Sequence, residues 1–323
     1  MAMRNHFQAI VLLLLVLPAI SCSRNPKYEF PLVQKYATQA GDVFYFRPRD
    51  GQFVLVERRK ALAVAIAPEP DIHAFAFDDH ITVSRPVAEP QAFGGRALEG
   101  RTFVEKITAQ QALAISADGR MLAGGDANGV VSVWNISNAS LEFQLNKTSG
   151  VLSLAFSPDG NFLAVGLAKS TGEPSDTVWL YDIRTRTAQR SFGRNAVLSL
   201  AWSSDSHSCA AGLDDGSVLL AEVTSDVAPQ RIALSASPVA ALDFHPSGLF
   251  LASAHADKRL LVCKLPAAEL IYTFEPAVPA SSSLPRGVER VAFDGTGSRF
   301  AADYAEGEMR IWDTSSLAKS LAK

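Results

Sequence analysis

Between residue 111 and the C-terminus one short pattern recurs five times. An apolar strand meets a polar turn. A second strand of small residues follows, then another turn, then a third strand that often ends in an aromatic residue. Val151–Val165 (VLSLAFSPDGNFLAV) is the clearest copy. A unit of this size cannot bury both of its own faces, so copies must stack against one another to make a continuous core. That requirement excludes most folds open to a chain of 323 residues.

The repeats share a grammar. Their opening strands are Ala112–Ser116, Val151–Phe156, Val197–Trp202, Val239–Phe244 and Val288–Phe293. The turns that follow contain Asp118-Gly119, Asp159-Gly160, Ser204-Asp205, Ser247-Gly248 and Thr296-Gly297. Glycine tolerates the positive φ that tight hairpin turns need, and Asp or Ser bonds the turn backbone. The second strands, such as Phe162–Val165 and Leu249–Ser253, are rich in small residues that let sheets approach. The third strands are short and rich in apolar residues: Val130–Trp134, Val178–Asp182, Val218–Ala221, Leu260–Cys263 and Met309–Asp313. A weaker fourth strand reads Leu141–Leu145 in one copy and Leu270–Phe274 in another.

These residues resemble WD40 repeats, which carry four strands per blade. The resemblance rests on the Ser157–Gly160 turn, the Asn128-Gly129 and Asp215-Gly216 turns, and Trp312-Asp313, with Trp134-Asn135 and Tyr181-Asp182 as variants. It covers residues 111–323. The Gly-His pair that opens a typical WD40 repeat is absent, which implies blades held mainly by apolar packing. Two degenerate copies precede the clear ones: Asp42–Val56 with an Asp50-Gly51 turn, and Ile72–Ser84 with an Asp78-Asp79 turn. Ala61–Ala67 reads as the third strand of the first. First strands then begin at 43, 72, 112, 151, 197, 239 and 288. The reading is an all-β, WD40-like β-propeller of seven four-stranded antiparallel blades over residues 42–323, with six blades as the alternative. Tyr28–Tyr36 reads as an outer strand for ring closure, confined to an edge by Pro31.

The N-terminus follows different rules. Arg4 and His6 precede an apolar run from Phe7 to Ile20, then Ser21 and Cys22. This has the basic start and apolar centre of a secretory signal over residues 1–21. Ala19–Cys22 resembles the cleavage site of bacterial lipoproteins, though Ala19 stands where Leu is usual. The resemblance implies acylation of Cys22, a tether over residues 22–41, and Ser23 directing the protein to the outer membrane, facing the periplasm. A soluble periplasmic or secreted form is the alternative.

No catalytic constellation emerges. His73 and His80 flank one strand without a completing ligand, and His245 and His255 sit in turns. No serine lies in a Gly-x-Ser-x-Gly setting. Asp78-Asp79 and Asp214-Asp215 are adjacent turn residues whose carboxylates diverge. Cys209 and Cys263 lie in apolar strands and read as buried thiols. A formal net charge of -3 gives no global signature of nucleic-acid binding. No catalytic residue, metal or cofactor is expected. Arg184, Arg186, Arg190 and Arg194 form a local run of positive charge, a candidate partner-binding patch. The longer excursions Pro90–Gln110, Lys169–Thr177 and Glu275–Gly287 are further places for contact. The functional expectation is a non-enzymatic protein-interaction scaffold tethered to the bacterial envelope through lipid on Cys22, with envelope proteins as partners. A periplasmic enzyme or small-ligand-binding propeller using its central channel is the alternative.

Overall fold

A computed structural model describes residues 32–37, 43–46, 53–56, 62–67, 72–86, 98–105, 108–170, 175–274, 287–304 and 308–317. Cys22 and the rest of the segment 1–31 lie outside the described residues, as do parts of all three long excursions. Strand β1 is Leu32–Ala37, and β2 (Val43–Phe46) pairs with β3 (Phe53–Val56) as a two-stranded sheet. The first blade is β4 (Ala63–Ala67), β5 (Ile72–Ala76), β6 (His80–Pro86) and β7 (Leu98–Glu105). The second is β8 (Gln110–Ile115), β9 (Met121–Asp126), β10 (Val130–Asn135) and β11 (Leu141–Asn146). The third is β12 (Val151–Phe156), β13 (Phe162–Leu167), β14 (Val178–Asp182) and β15 (Thr187–Phe192). The fourth is β16 (Val197–Trp202), β17 (Ser208–Leu213), β18 (Ser217–Glu222) and β19 (Gln230–Ala233). The fifth is β20 (Val239–Phe244), β21 (Phe250–His255), β22 (Leu260–Lys264) and β23 (Glu269–Phe274). The sixth is β24 (Val288–Phe293), β25 (Arg299–Tyr304) and β26 (Glu308–Asp313), completed by β1 pairing antiparallel with β26.

The described residues therefore make six four-stranded blades, not the seven expected. Ala63–Ala67 is the cause. It is not the third strand of the Asp42 copy but the inner strand of the next blade, paired with β5 and lying against β8. What remains of the Asp42 copy is a hairpin, whose β2 lies beside β24. Too little chain separates Val43 from Leu62 for the roughly 40 residues that a full blade uses.

Turn chemistry explains why the repeat is spelled as it is. In three consecutive copies the serine hydroxyl donates to the aspartate two residues on: Ser116 to Asp118 at 2.6 Å, Ser157 to Asp159 at 2.5 Å and Ser203 to Asp205 at 2.5 Å. The same hydroxyl accepts the N–H of Met121, Phe162 or Ser208, each at 2.9 Å. Each buried turn group is thus satisfied within its own hairpin. The Ser203 hydroxyl, with the His207 N–H behind it, holds the Asp205 carboxyl below its ordinary range.

The core lies between blades. One cluster joins Val178 and Leu180 of β14 to Val197 and Trp202 of β16. Another stacks Phe274, Phe293, Phe300 and Trp312 across the fifth and sixth blades, with Phe274 and Trp312 centroids 4.7 Å apart. Polar bonds stitch the same seams. The Ser153 hydroxyl donates to Val197 O at 3.1 Å, Ser199 to Val239 O at 3.2 Å, and Trp202 Nε1 to Ala155 O at 3.0 Å. Packing carries the seams, as the missing Gly-His pairs imply, but serine-to-carbonyl bonds fix the register of one blade on the next.

Candidate docking surface

The fourth and fifth blades leave a groove of about 380 Å³ between their outer halves. Its fourth-blade wall is the end of β18 and the loop 223–229. The opposite wall is the turn Gly248-Leu249 and the segment Leu265-Pro266. Phe244 and Leu265 are buried at its base, while Val227 is 73% exposed and Leu249 41% exposed at its lips. Two apolar side chains are thus exposed on opposite walls of one groove.

The groove is held in shape from both sides. Gln230 Nε2 donates to Pro266 O at 2.9 Å, tying the two walls together. The Ser204 hydroxyl donates to Pro246 O at 2.7 Å and joins the neighbouring turns. Arg190 reaches across from β15 of the third blade. Its guanidinium donates to Glu222 O at 2.5 Å, to Ser225 O at 2.6 Å and to Val227 O. These three carbonyls fix the loop that presents Val227.

The four arginines singled out in the sequence are therefore not alike. Arg190 is spent on the Val227 loop. Arg194 faces Asp176 at 3.6 Å. Arg186 turns back to the second blade, 3.8 Å from Glu142 Oε2 and over the Phe143 ring at 5.2 Å. Arg184 is exposed beside Asp182. Only Arg190 lies on β15; Arg184 and Arg186 sit in the turn before it and Arg194 beyond its end, so the run does not share one strand face.

The histidines of the fifth blade are structural. Burial lowers the pKa of both His245 and His255. His255 is fully buried; its Nδ1 lies 2.9 Å from Ser237 O and its Nε2 3.0 Å from the Ser253 hydroxyl. A carbonyl partner assigns the proton to Nδ1, leaving Nε2 to accept from serine. His245 Nε2 faces Gly297 O at 3.2 Å in the sixth blade, and its ring stands edge-on to Phe250 and Phe293. Cys209 and Cys263 are free and buried, and burial raises both thiols, that of Cys263 to about 11. Among the described residues no group of three His, Cys, Asp or Glu side chains could hold a metal ion.

Sequence reasoning missed the groove, yet the repeats contain its signal. Leu249 occupies the turn position held by Arg120, Asn161, His207 and Ser298 in the other clear copies. One apolar residue thus stands among four polar ones at this position, and it is exposed. Val227 is likewise an apolar residue in a loop between Asp226 and Ala228-Pro229.

The fold just described is a WD40-type β-propeller. A model of the family "WD domain, G-beta repeat" matches residues 140–182, 186–220 and 231–263. Each matched segment starts on or beside the outer strand of one blade and ends at the third strand of the next, so a sequence repeat bridges two blades. β1 closes the sixth blade in the same manner. The chain is similar to WD repeat-containing protein SL1-17 of Schistosoma mansoni, 28% identical over 46% of this chain and 48% of that protein. It is also similar to the small ribosomal subunit proteins RACK1z and RACK1y of Oryza sativa subsp. japonica, each 25% identical over 35% of this chain and 34% of theirs. The chain thus spans about half the length of the first relative and a third of the other two. These matches support the non-enzymatic reading.

The expected bacterial-envelope location is corrected by the same comparisons. Two of the relatives are by name proteins of the small ribosomal subunit, and the segment that carried the expectation lies outside the described residues. Among the described residues no helix is long and apolar enough to cross a membrane.

Proposed function

We propose that this chain is a protein-interaction scaffold that holds a partner in the groove between its fourth and fifth blades. The observation that carries the reading is the exposure of Val227 and Leu249 on opposite walls of a cleft that Arg190 and Gln230 hold open. A preformed cleft loses little conformational freedom on binding, so modest apolar burial there converts efficiently to affinity. Rigid blades with apolar lips suit a platform that holds a partner without moving itself.

Quantitative affinity capture tests this with the wild type and the Val227→Asp/Leu249→Asp double variant. A partner retained by the wild type and depleted by the variant is the expected result. An identical retained set would refute the groove as the docking surface. Arg184 and Arg186 are proposed as secondary contacts, since both residues are exposed. Charge reversal at both should weaken capture less than the groove variant does. Acylation of Cys22 is a separate proposal carried by Ala19–Cys22 alone. Incorporation of labelled palmitate that Cys22→Ser abolishes would support it, and label-free wild type would end it.

A further inference from the structure

We propose that the groove selects a partner segment that sets a bulky aliphatic or aromatic side chain beside a lysine or arginine. This rests on the docking reading above and gives it a chemistry. The base of the groove is apolar, formed by Leu220, Phe244 and Leu265. Its volume of about 380 Å³ lies at the small end of ligand clefts, which suits one or two side chains rather than a folded edge. The apolar lips at Val227 and Leu249 would close over such a side chain.

Charge decides what stands next to it. Glu222 is the sole charged residue lining the groove among the described residues, and it is exposed. Asp226 is exposed between the lining residues Ser225 and Val227. Neither carboxylate has an ion-pair partner among the described residues. Arg190 lies close by, but its guanidinium points into three backbone carbonyls and bonds neither carboxylate. Counting all three, the loop keeps an excess negative charge, with both carboxylates on the solvent side. A partner cation would meet them; a partner carboxylate would be repelled. Aspartate and glutamate segments are thereby disfavoured as strongly as basic ones are favoured.

The test uses the full chain and oriented peptide libraries, degenerate at six positions around a fixed Arg or a fixed Glu. The wild type should enrich Leu, Ile, Phe or Trp beside Lys or Arg. Glu222→Lys/Asp226→Lys should move the charge preference by about two- to fivefold toward acidic residues, the scale of exposed ion pairs, while keeping the apolar preference. Val227→Asp/Leu249→Asp should lower enrichment of the apolar position roughly tenfold, as loss of a buried side chain does. All four sites are exposed, and unchanged melting temperatures would show the variants fold. An acidic preference in the wild type, a charge preference that ignores the reversal, or no enrichment at all would overturn the proposal. In each of those cases the reading of the groove as a docking surface still stands if capture of a partner depends on Val227 and Leu249, and falls if it does not.

Discussion

Asp243 occupies a position on β20 where the other clear inner strands carry Ala114, Ala155, Ala201 and Ala292. Its Oδ2 accepts the Phe293 N–H at 2.7 Å, from the inner strand of the sixth blade. Burial pushes its pKa from 3.8 up to about 7, with the Phe293 and Phe244 N–H groups pulling the other way. The folded state therefore prefers the protonated acid. A group whose folded pKa exceeds its unfolded pKa costs nothing below the unfolded value and progressively more as pH rises to the folded one. A rise of that size corresponds to about 4 kcal/mol at full ionisation, and about 2.5 kcal/mol of it falls between pH 5 and pH 8. Asn keeps an oxygen for the Phe293 N–H but cannot ionise. Asp243→Asn should therefore be more stable than wild type at pH 8, with the advantage shrinking by roughly 2.5 kcal/mol on going to pH 5. Denaturant unfolding of both proteins across that range measures it. His245 and His255 titrate in the opposite sense, losing stability as pH falls through their unfolded values, but they do so in both proteins and cancel from the difference. Parallel stability curves would refute the buried-acid account.

Three further outcomes follow from packing. Lys147 Nζ lies 3.6 Å from the Trp179 ring centroid and 4.8 Å from that of Tyr181, joining the second and third blades. Lys147→Met should keep the apolar stem and lose about 0.5–2 kcal/mol by chemical denaturation, and an unchanged midpoint would deny the cation–π contact. Gly129 sits at φ +87 with Lys147 O 2.6 Å from where a Cβ would stand. Gly129→Ala should cost at least about 1 kcal/mol, read as a lower melting temperature, with no change contradicting the turn geometry. Cys209 and Cys263 should react with a thiol reagent only after unfolding; rapid labelling of the native protein would place them wrongly.

The sequence carried the turns and strands of the five clear copies because their chemistry is local. A Ser-x-Asp hairpin such as Ser157–Asp159 satisfies its own bonds, so its spelling survives in the chain. Blade boundaries are different. Ala63–Ala67 is an apolar five-residue strand buried along nearly its whole length, and such a strand reads alike as first or third in a sheet. Only its pairing with β5 and its place against β8 decide between them, and both are tertiary. The spatial neighbours of the arginine run were not legible for a related reason. Neighbours in sequence at 184–194 diverge in space, with Arg190 consumed by the 222–227 loop of another blade. The groove was legible only by setting the five copies against one another, where Leu249 and Asp243 break the pattern of their siblings. Both departures fall in the fifth blade, one at its groove and one at its seam.

The docking claim is tested most directly by photo-crosslinking from defined positions. A photoreactive residue at Val227 or Leu249 should join the captured partner. The same residue at Leu141, which is 50% exposed on the outer strand of the second blade, should not. Equal crosslinking from Leu141, or none from Val227 and Leu249 while the partner is still bound, would contradict the account.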